Sequence, residues 1–180
     1  MNTEYEIRVL EIDKENLISK LERLEAKFNG KWNQKRYVYN TIPKKENEWI
    51  RLRTNGNKTT LAYKNVEKKT LDGTKELEIE VDDFIKANEI LELAGIHHKG
   101  YQENKREQYI LNNVEIDIDT WPMIPTYVEI EGKSEKEVME IIDLLEIDKS
   151  KITALDVQSV YLKKYGIDIE KINDLRFEEE

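Results

Sequence analysis

The sequence predicts an α+β protein built on one antiparallel sheet. Most of its eight predicted strands alternate charged with apolar side chains, and this period of two places the two kinds on opposite faces of a strand. Helical segments with capping residues lie between groups of these strands rather than after each one, which is typical of α+β folds. No repeat, linker or change of composition divides the 180 residues, so we expect a single domain over residues 1–180.

Five strands and one helix are predicted in the first 81 residues. Asp13 is a typical N-cap, and the apolar spacing after it predicts a helix that runs to about Phe28. Asn29-Gly30 would end this helix. Asn55-Gly56 is typical of a tight turn between two strands of a hairpin. The strands are predicted at residues 3–9, 35–42, 49–54, 59–65 and 75–81.

The rest of the chain is predicted to hold three strands and three helices. Asp83 and Gly95 flank a helix over residues 84–94, and Ser134 with Glu137 forms a capping box that starts the next helix. A last helix, over about residues 155–165, ends at Gly166. The strands between these helices are predicted at residues 101–111, 114–120 and 126–131.

Composition excludes several classes of function. The chain has a formal net charge of -9, and 37% of its residues are charged, which argues against sequence-independent binding of nucleic acid. It contains no cysteine, so disulfides, thiolate metal sites and cysteine nucleophiles are excluded. No apolar run resembles a signal peptide or a membrane span. We therefore expect a cytoplasmic protein with no membrane partner.

The charged faces of the strands are sorted by sign. Antiparallel sheets commonly expose one charged face to solvent. For any single strand, this is the favoured explanation of the charged side chains. If the sheet curls into a barrel, the same residues line a polar lumen and the helices cover the apolar outer face. Such a lumen suits a polyphosphate carried by metal ions, and the residues alone leave both interpretations open. The residues concerned include Glu4, Glu6, Arg8, Arg51, Arg53, Lys64, Glu76, Glu78, Glu80, Arg106, Asp117, Asp119, Glu129 and Glu131.

The order of these residues resembles the CYTH superfamily, the triphosphate tunnel metalloenzymes. Glu4-x-Glu6-x-Arg8 is similar to the E-x-E-x-K signature of that family, and the segment 127–132 resembles its late strand. The resemblance covers about residues 3–145. It implies an eight-stranded closed antiparallel β-tunnel with a polar lumen and helices packed on the outside. Members include class IV adenylate cyclases, thiamine triphosphatases and inorganic tripolyphosphatases.

The resemblance also implies a role for each matched residue. The ligands of Mg²⁺ or Mn²⁺ would be Glu4, Glu6, Asp119, Glu129 and Glu131. The residues that bind the substrate would be Arg8, Arg51, Arg53, Lys64, Glu78 and Arg106. On the acidic strand at residues 75–81, we favour Glu78 over Glu76 as the residue that binds the substrate. We expect Arg8 and Lys64 to act in catalysis as well as in substrate binding.

Arg8 departs from the family signature, which has lysine at this place. The signature lysine has been suggested to help activate the attacking water. Arginine holds its proton to a pKa above ~12, so Arg8 can bind a phosphoryl oxygen but is a poor base. We predict that Arg8→Lys retains or raises hydrolysis.

Three functions follow from the resemblance. The first is metal-dependent hydrolysis of inorganic tripolyphosphate or of an organic triphosphate, and the second is conversion of ATP to cyclic AMP and pyrophosphate. The third is non-catalytic binding of a polyphosphate or nucleotide. Each implies a small-molecule partner that contains a triphosphate, and none involves nucleic acid. The sequence leaves open whether the protein is a monomer or a homodimer, and whether the last helix plugs the tunnel, covers its outside or forms a dimer contact.

Overall fold

The computed structural model describes residues 1–178 and contains eight main strands and four α-helices. The strands are β1 (Asn2–Val9), β2 (Lys27–Asn40), β3 (Glu48–Thr54), β4 (Thr59–Val66), β5 (Thr74–Val81), β6 (His98–Leu111), β7 (Val114–Thr120) and β8 (Tyr127–Gly132). The helices are α1 (Lys14–Arg23), α2 (Phe84–Leu93), α3 (Glu135–Leu144) and α4 (Val157–Tyr165). Two-residue strands β9 (Ile152–Thr153) and β10 (Asp174–Leu175) pair with β1 and β6.

The eight main strands close into an antiparallel barrel. Around the ring the order is β1, β5, β4, β3, β2, β6, β7 and β8, and β8 pairs with β1 again. β6 completes the ring because it pairs with β2 on one side and with β7 on the other. The predicted α+β fold, with a closed eight-stranded tunnel and helices outside it, is therefore confirmed.

Apolar residues on the outer face of the barrel bury a core under α1 and α3. Ile116 and Ile130 are cross-strand partners in this core, and both are fully buried. Leu21 from α1 and Ile142 from α3 pack against the same cluster, also without exposure. Burial of each such side chain contributes about 1.5–3 kcal/mol, so this face holds the two helices in place. Polar residues of the same strands are left pointing into the lumen.

The first helix is shorter than predicted. It ends at Arg23, and Glu25 turns the chain with a φ of 55°. The amide of Ala26 then donates to the carbonyl of Leu21, which ends the helix before Phe28. Asn29-Gly30 does not end a helix. It lies inside β2, where Gly30 has a φ of 154° and the pairing with β6 shifts by one residue, as in a β-bulge. The strand predicted at residues 35–42 is therefore longer than expected and begins at Lys27. The other predicted strands and helices are present, with small shifts of their ends.

The chain beyond α3 covers one end of the tunnel. Here we name residues 155–170 the C-terminal cap. Val160 and Tyr161 of α4 are fully buried in a second apolar cluster with Trp121 and Tyr127. Tyr161 Oη donates to the carbonyl of Pro122 over 2.6 Å, which ties α4 to the loop before β8. The first turn of α4 lines the tunnel cavity, while the other end of the helix packs outside the cavity. The last predicted helix therefore both enters the tunnel and covers its outside.

Candidate functional site

The lumen of the barrel is a cavity lined by charged residues from seven of the eight strands and by the C-terminal cap. Strand alternation accounts for this lining, since every second residue of a strand points inward. Several of these charged residues are buried, unlike the solvated face that an open sheet would present. The charged lining residues are Glu6, Arg8, Arg36, Arg51, Arg53, Lys64, Lys99, Arg106, Asp119, Glu129, Asp156 and Glu170.

Three of the five predicted metal ligands form one group. Glu6, Glu129 and Glu131 each offer a carboxylate oxygen, and these oxygens lie within 4.8 Å of one another. The group arises because Glu6 faces Glu131 across the β1–β8 pair, while Glu129 lies two residues along the same strand. Three hard oxygen ligands at this spacing fit a divalent cation such as Mg²⁺ or Mn²⁺.

The charges in this carboxylate group repel one another. Burial, followed by the charges of Glu6 and Glu129, raises the pKa of Glu131 from 4.5 to about 8. Burial also opposes the charge of Glu129, but Arg8 and Arg106 outweigh it and lower the pKa of that carboxyl. A divalent cation between the three carboxylates would remove the repulsion, so the donor set fits a metal ion.

Glu4 lies outside this group and is held by Lys64. The Lys64 Nζ is 2.8 Å and 3.0 Å from the two carboxylate oxygens of Glu4, and both side chains are about a tenth exposed. Burial is the main reason that the pKa of Glu4 is raised to about 8 despite this partner. Burial and Arg51 oppose the charge of Lys64, yet neighbouring carboxylates outweigh them and raise its pKa. Lys64 is therefore an ammonium rather than a free base.

Asp119 also lies outside the three-carboxylate group, because Arg106 binds it in a bidentate manner. Arg106 Nε is 2.7 Å from Asp119 Oδ1, and Nη2 is 2.6 Å from Oδ2. The same guanidinium contacts Asp117 and lies 3.3 Å from Glu129. Arg106 therefore links the three-carboxylate group to the aspartates of β7, and Asp117 joins the site although the family resemblance gave it no role.

Arg51 and Arg53 form a basic stretch on β3 opposite acidic residues of β5. Arg51 Nη2 donates to Glu76 over 3.1 Å and to Glu78 over 3.0 Å, while Arg53 lies 3.8 Å from Glu78. Burial, then the charges of Arg51 and Arg106, lowers the pKa of Arg53 to about 10. Glu76 and Glu78 of β5 therefore both contact the basic wall, and these contacts do not favour one of the two over the other as a substrate-binding residue.

Arg8 connects the carboxylate group to the C-terminal cap. Its Nη2 lies 2.6 Å from Glu129 and 3.2 Å from Glu6, and its Nη1 donates to the carbonyl of Leu155 over 2.9 Å. Burial opposes its charge, but the two glutamates outweigh burial and raise the pKa of Arg8 well above its ordinary value. Arg8 is thus a fixed cation that lies among the predicted metal ligands.

Arg36 and the cap residues are the parts of the lining that the sequence did not predict. Arg36 is buried on β2, and it is the cross-strand partner of Arg53. The sequence signal for Arg36 is its place between Gln34 and Val38, the next residues on the same face of β2. The basic neighbour Lys35, on the other face, obscures this signal. The cap residues Asp156 to Gln158 reach the lumen from far along the chain, and no local pattern predicts that contact.

Comparison with known proteins agrees with this architecture. A curated protein of Methanocaldococcus jannaschii, named "putative adenylate cyclase", is 26% identical over 177 residues, covering 91% of this chain and 99% of that protein. A solved structure from Pyrococcus horikoshii is 24% identical with a TM-score of 0.73, covering 85% of this chain and 96% of its own. A structure from Vibrio parahaemolyticus, titled as a "putative adenylate cyclase", is 11% identical with a TM-score of 0.75, covering 88% and 97%. These two structures share the fold.

The sequence model of the CYTH domain matches residues 2–162, which is most of the chain. This range contains β1 to β8 and therefore the whole ring. Among the described residues, no helix has the length and apolar character that a membrane crossing requires. The closed, charge-lined barrel and the matched range lead to the same result, and the chain belongs to the CYTH domain family.

Proposed function

We propose that the protein is a metal-dependent hydrolase of triphosphates, which bind inside the barrel. The observation that carries this proposal is the group of three carboxylates, Glu6, Glu129 and Glu131, enclosed in the same lumen as a wall of guanidinium groups. A phosphate chain needs both kinds of group, because cations bind its oxygens and carboxylates hold the metal that accompanies it.

The carboxylate group is the proposed metal site. When bound there, Mg²⁺ or Mn²⁺ offsets the charge of the phosphates and lowers the pKa of a coordinated water. Glu4 and Asp119 are proposed as supporting carboxylates rather than first ligands, because they do not belong to the group whose oxygens lie within 4.8 Å of one another. Arg106 and Arg8 each contact Glu129, so they fix the orientation of one proposed ligand.

The cations of the lumen position the phosphate chain and stabilise charge that develops during hydrolysis. Arg51 and Arg53 of β3 lie on one wall, and Arg106 and Lys64 extend the set to β6 and β4. Arg51 and Lys64 are buried and Arg53 and Arg106 are partly buried, so their interactions with phosphoryl oxygens are strengthened by the low dielectric of the site. Arg8 and Lys64 are proposed to act in catalysis through charge, since both hold their protons.

Adenylate cyclase activity is the second candidate. The lining of the cavity favours a substrate with an organic group. Toward the C-terminal cap the lining becomes partly apolar, with Val38, Trp49, Val66, Val157 and Ile169. A tunnel for inorganic tripolyphosphate alone has no need of an apolar chamber. The name of the Methanocaldococcus relative is consistent with this candidate, whose nucleophile is a ribose hydroxyl instead of water.

Product analysis tests the proposal and separates the candidates. The protein is incubated with tripolyphosphate, ATP or thiamine triphosphate in Mg²⁺, Mn²⁺ or EDTA. Metal-dependent release of orthophosphate supports the hydrolase, cyclic AMP with pyrophosphate supports the cyclase, and binding without turnover refutes both. Glu129→Gln with Glu131→Gln should abolish turnover, while Glu15→Gln with Glu22→Gln, on the exposed face of α1, is the matched control.

A further inference from the structure

Arg36 is a buried cation without an acidic partner. The residue is 7% exposed, and within residues 1–178 no carboxylate oxygen lies within 4.0 Å of its guanidinium. Nη2 donates to the amide oxygens of Gln34, at 3.1 Å, and of Asn104. The guanidinium lies 4.5 Å from the centre of the Trp121 ring, and Nε is buried without a hydrogen-bond partner. Buried charges are ordinarily paired, so the described chain leaves the charge of Arg36 uncompensated.

The surroundings of Arg36 increase this excess of positive charge. Arg36 faces Arg53 across the β2–β3 pair, and it lines the tunnel cavity. Burial, followed by the charges of Arg53, Arg51 and Arg106, lowers the pKa of Arg36 well below its ordinary value. Arginine nevertheless stays protonated in proteins. The lumen beside Arg36 is therefore a region of positive potential that attracts an anion.

Other lumen cations differ from Arg36 in their contacts. Arg51 is bound by Glu76 and Glu78, and Arg106 is bound by Asp117 and Asp119. A phosphate that approaches either arginine must displace or share a carboxylate. At Arg36 no ion pair has to be broken, and the amide bonds together with the stacking on Trp121 already fix the plane of the guanidinium. Binding of a phosphate to Arg36 therefore costs little conformational entropy of the arginine side chain.

We propose that Arg36 is a phosphate-binding residue, and that it forms with Arg51, Arg53 and Arg106 a subsite for one phosphoryl group of the substrate. The proposal rests on the proposed function, because it takes the anion to be part of a phosphate chain. In this arrangement Arg36 binds and orients the substrate and has no part in proton transfer.

Anion binding without metal tests the role of Arg36. The probe is inorganic tripolyphosphate, titrated into the full-length protein in EDTA and followed by isothermal titration calorimetry. Arg36→Met should raise Kd by about tenfold to a hundredfold, the range expected for loss of charge-assisted hydrogen bonds. Arg23→Met, on the exposed surface of α1, removes the same charge and should bind as the wild type does.

Stability separates a binding role from a structural one. Because Arg36→Met removes a buried charge with no acidic partner, we expect the Tm of the ligand-free variant to equal or exceed that of the wild type. Weakened binding by the folded variant supports the proposal. Unchanged binding with a lowered Tm would assign Arg36 to structure and overturn it.

A measurement on the wild type covers the case in which the variant does not fold. The side-chain ¹⁵Nε resonance of Arg36 should shift on titration with tripolyphosphate, and an unshifted resonance at saturation overturns the proposal. The two proposals also fail differently. A wild type that neither binds nor hydrolyses triphosphates refutes the proposed function, whereas equal binding by wild type and Arg36→Met refutes only the role of Arg36.

Discussion

Arg8 donates a hydrogen bond of 2.9 Å from Nη1 to the main-chain carbonyl of Leu155, which lies 147 residues later in the chain. The other end of the same guanidinium lies 2.6 Å from Glu129. One side chain thus binds both a proposed metal ligand and the C-terminal cap. A lysine has one ammonium group and cannot reproduce this two-sided contact. The arginine at the signature position therefore has a structural consequence that lysine would lack.

Arg8→Lys is expected to retain or raise metal-dependent hydrolysis while loosening the cap. Loss of a hydrogen bond from a charged donor to the Leu155 carbonyl, worth about 1.5–3 kcal/mol, should increase amide hydrogen exchange in residues 155–160 by about tenfold or more. Turnover and exchange are measured on the same sample. A loss of turnover as large as that of Glu129→Gln would contradict the prediction, as would unchanged exchange in the cap.

Glu131→Gln should stabilise the protein in EDTA and remove its response to metal. The substitution takes away a carboxylate that the charges of Glu6 and Glu129 disfavour. In the wild type, metal at 100 times its Kd should add about 2.7 kcal/mol to the free energy of unfolding. Differential scanning fluorimetry with and without Mn²⁺ measures both effects. If the variant keeps the full metal-induced rise in Tm, Glu131 is not a ligand.

The metal-free protein should become less stable as the pH rises from about 4.5 to about 8. Glu4 and Glu131 have pKa values near 8 in the folded protein, against 4.5 as the ordinary value. Between these values the folded state binds more protons than the unfolded state, so the free energy of unfolding falls with increasing pH. The pKa of Glu76 is lowered to about 2, so Glu76 changes the free energy of unfolding at a lower pH than this range.

Urea denaturation in EDTA at pH 5.5 and pH 8 checks this dependence. The midpoint should be lower at pH 8, and saturating Mn²⁺ should reduce the difference by binding the ionised carboxylates. A midpoint in EDTA that is constant or higher at pH 8 would show that the two carboxyls do not hold protons in the folded state.

Arg106→Met should destabilise the protein strongly, in contrast to Arg36→Met. Removal of Arg106 leaves Asp117 and Asp119 buried without their main cationic partner. Breaking a buried ion pair in this way costs about 3–5 kcal/mol. Urea denaturation of the two variants at pH 7 makes the comparison. Equal stability of the two variants would show that ion pairing in the lumen does not control the fold.

Alternation along the strands predicted most of the strands and most of the charged lining, whereas the closed barrel was implied only by the family resemblance. Alternation could not determine how the charges pair, because Glu4 with Lys64 and Asp119 with Arg106 are contacts between different strands. The separation of these two carboxylates from Glu6, Glu129 and Glu131 depends on strand register, which the sequence leaves open.

Local signals failed where tertiary structure overrode them. The apolar spacing that predicted a helix up to Phe28 ignores Glu25, whose left-handed conformation ends α1 early. Asn29-Gly30 has the composition of a helix end, but β6 pairs on both sides of it and makes it a bulge. Arg36 was missed because only the pairing of β2 with β3 brings it beside Arg53.

Closure of the ring sets the order in which this protein can fold during synthesis. β1 precedes the other strands of the ring in the chain, yet one of its neighbours in the barrel is β8, which ends at Gly132. The ring cannot close until β8 has left the ribosome, and Arg8 must wait longer still for Leu155. Such distant pairing slows folding, and the enclosed site forms only after the chain has been made beyond Leu155.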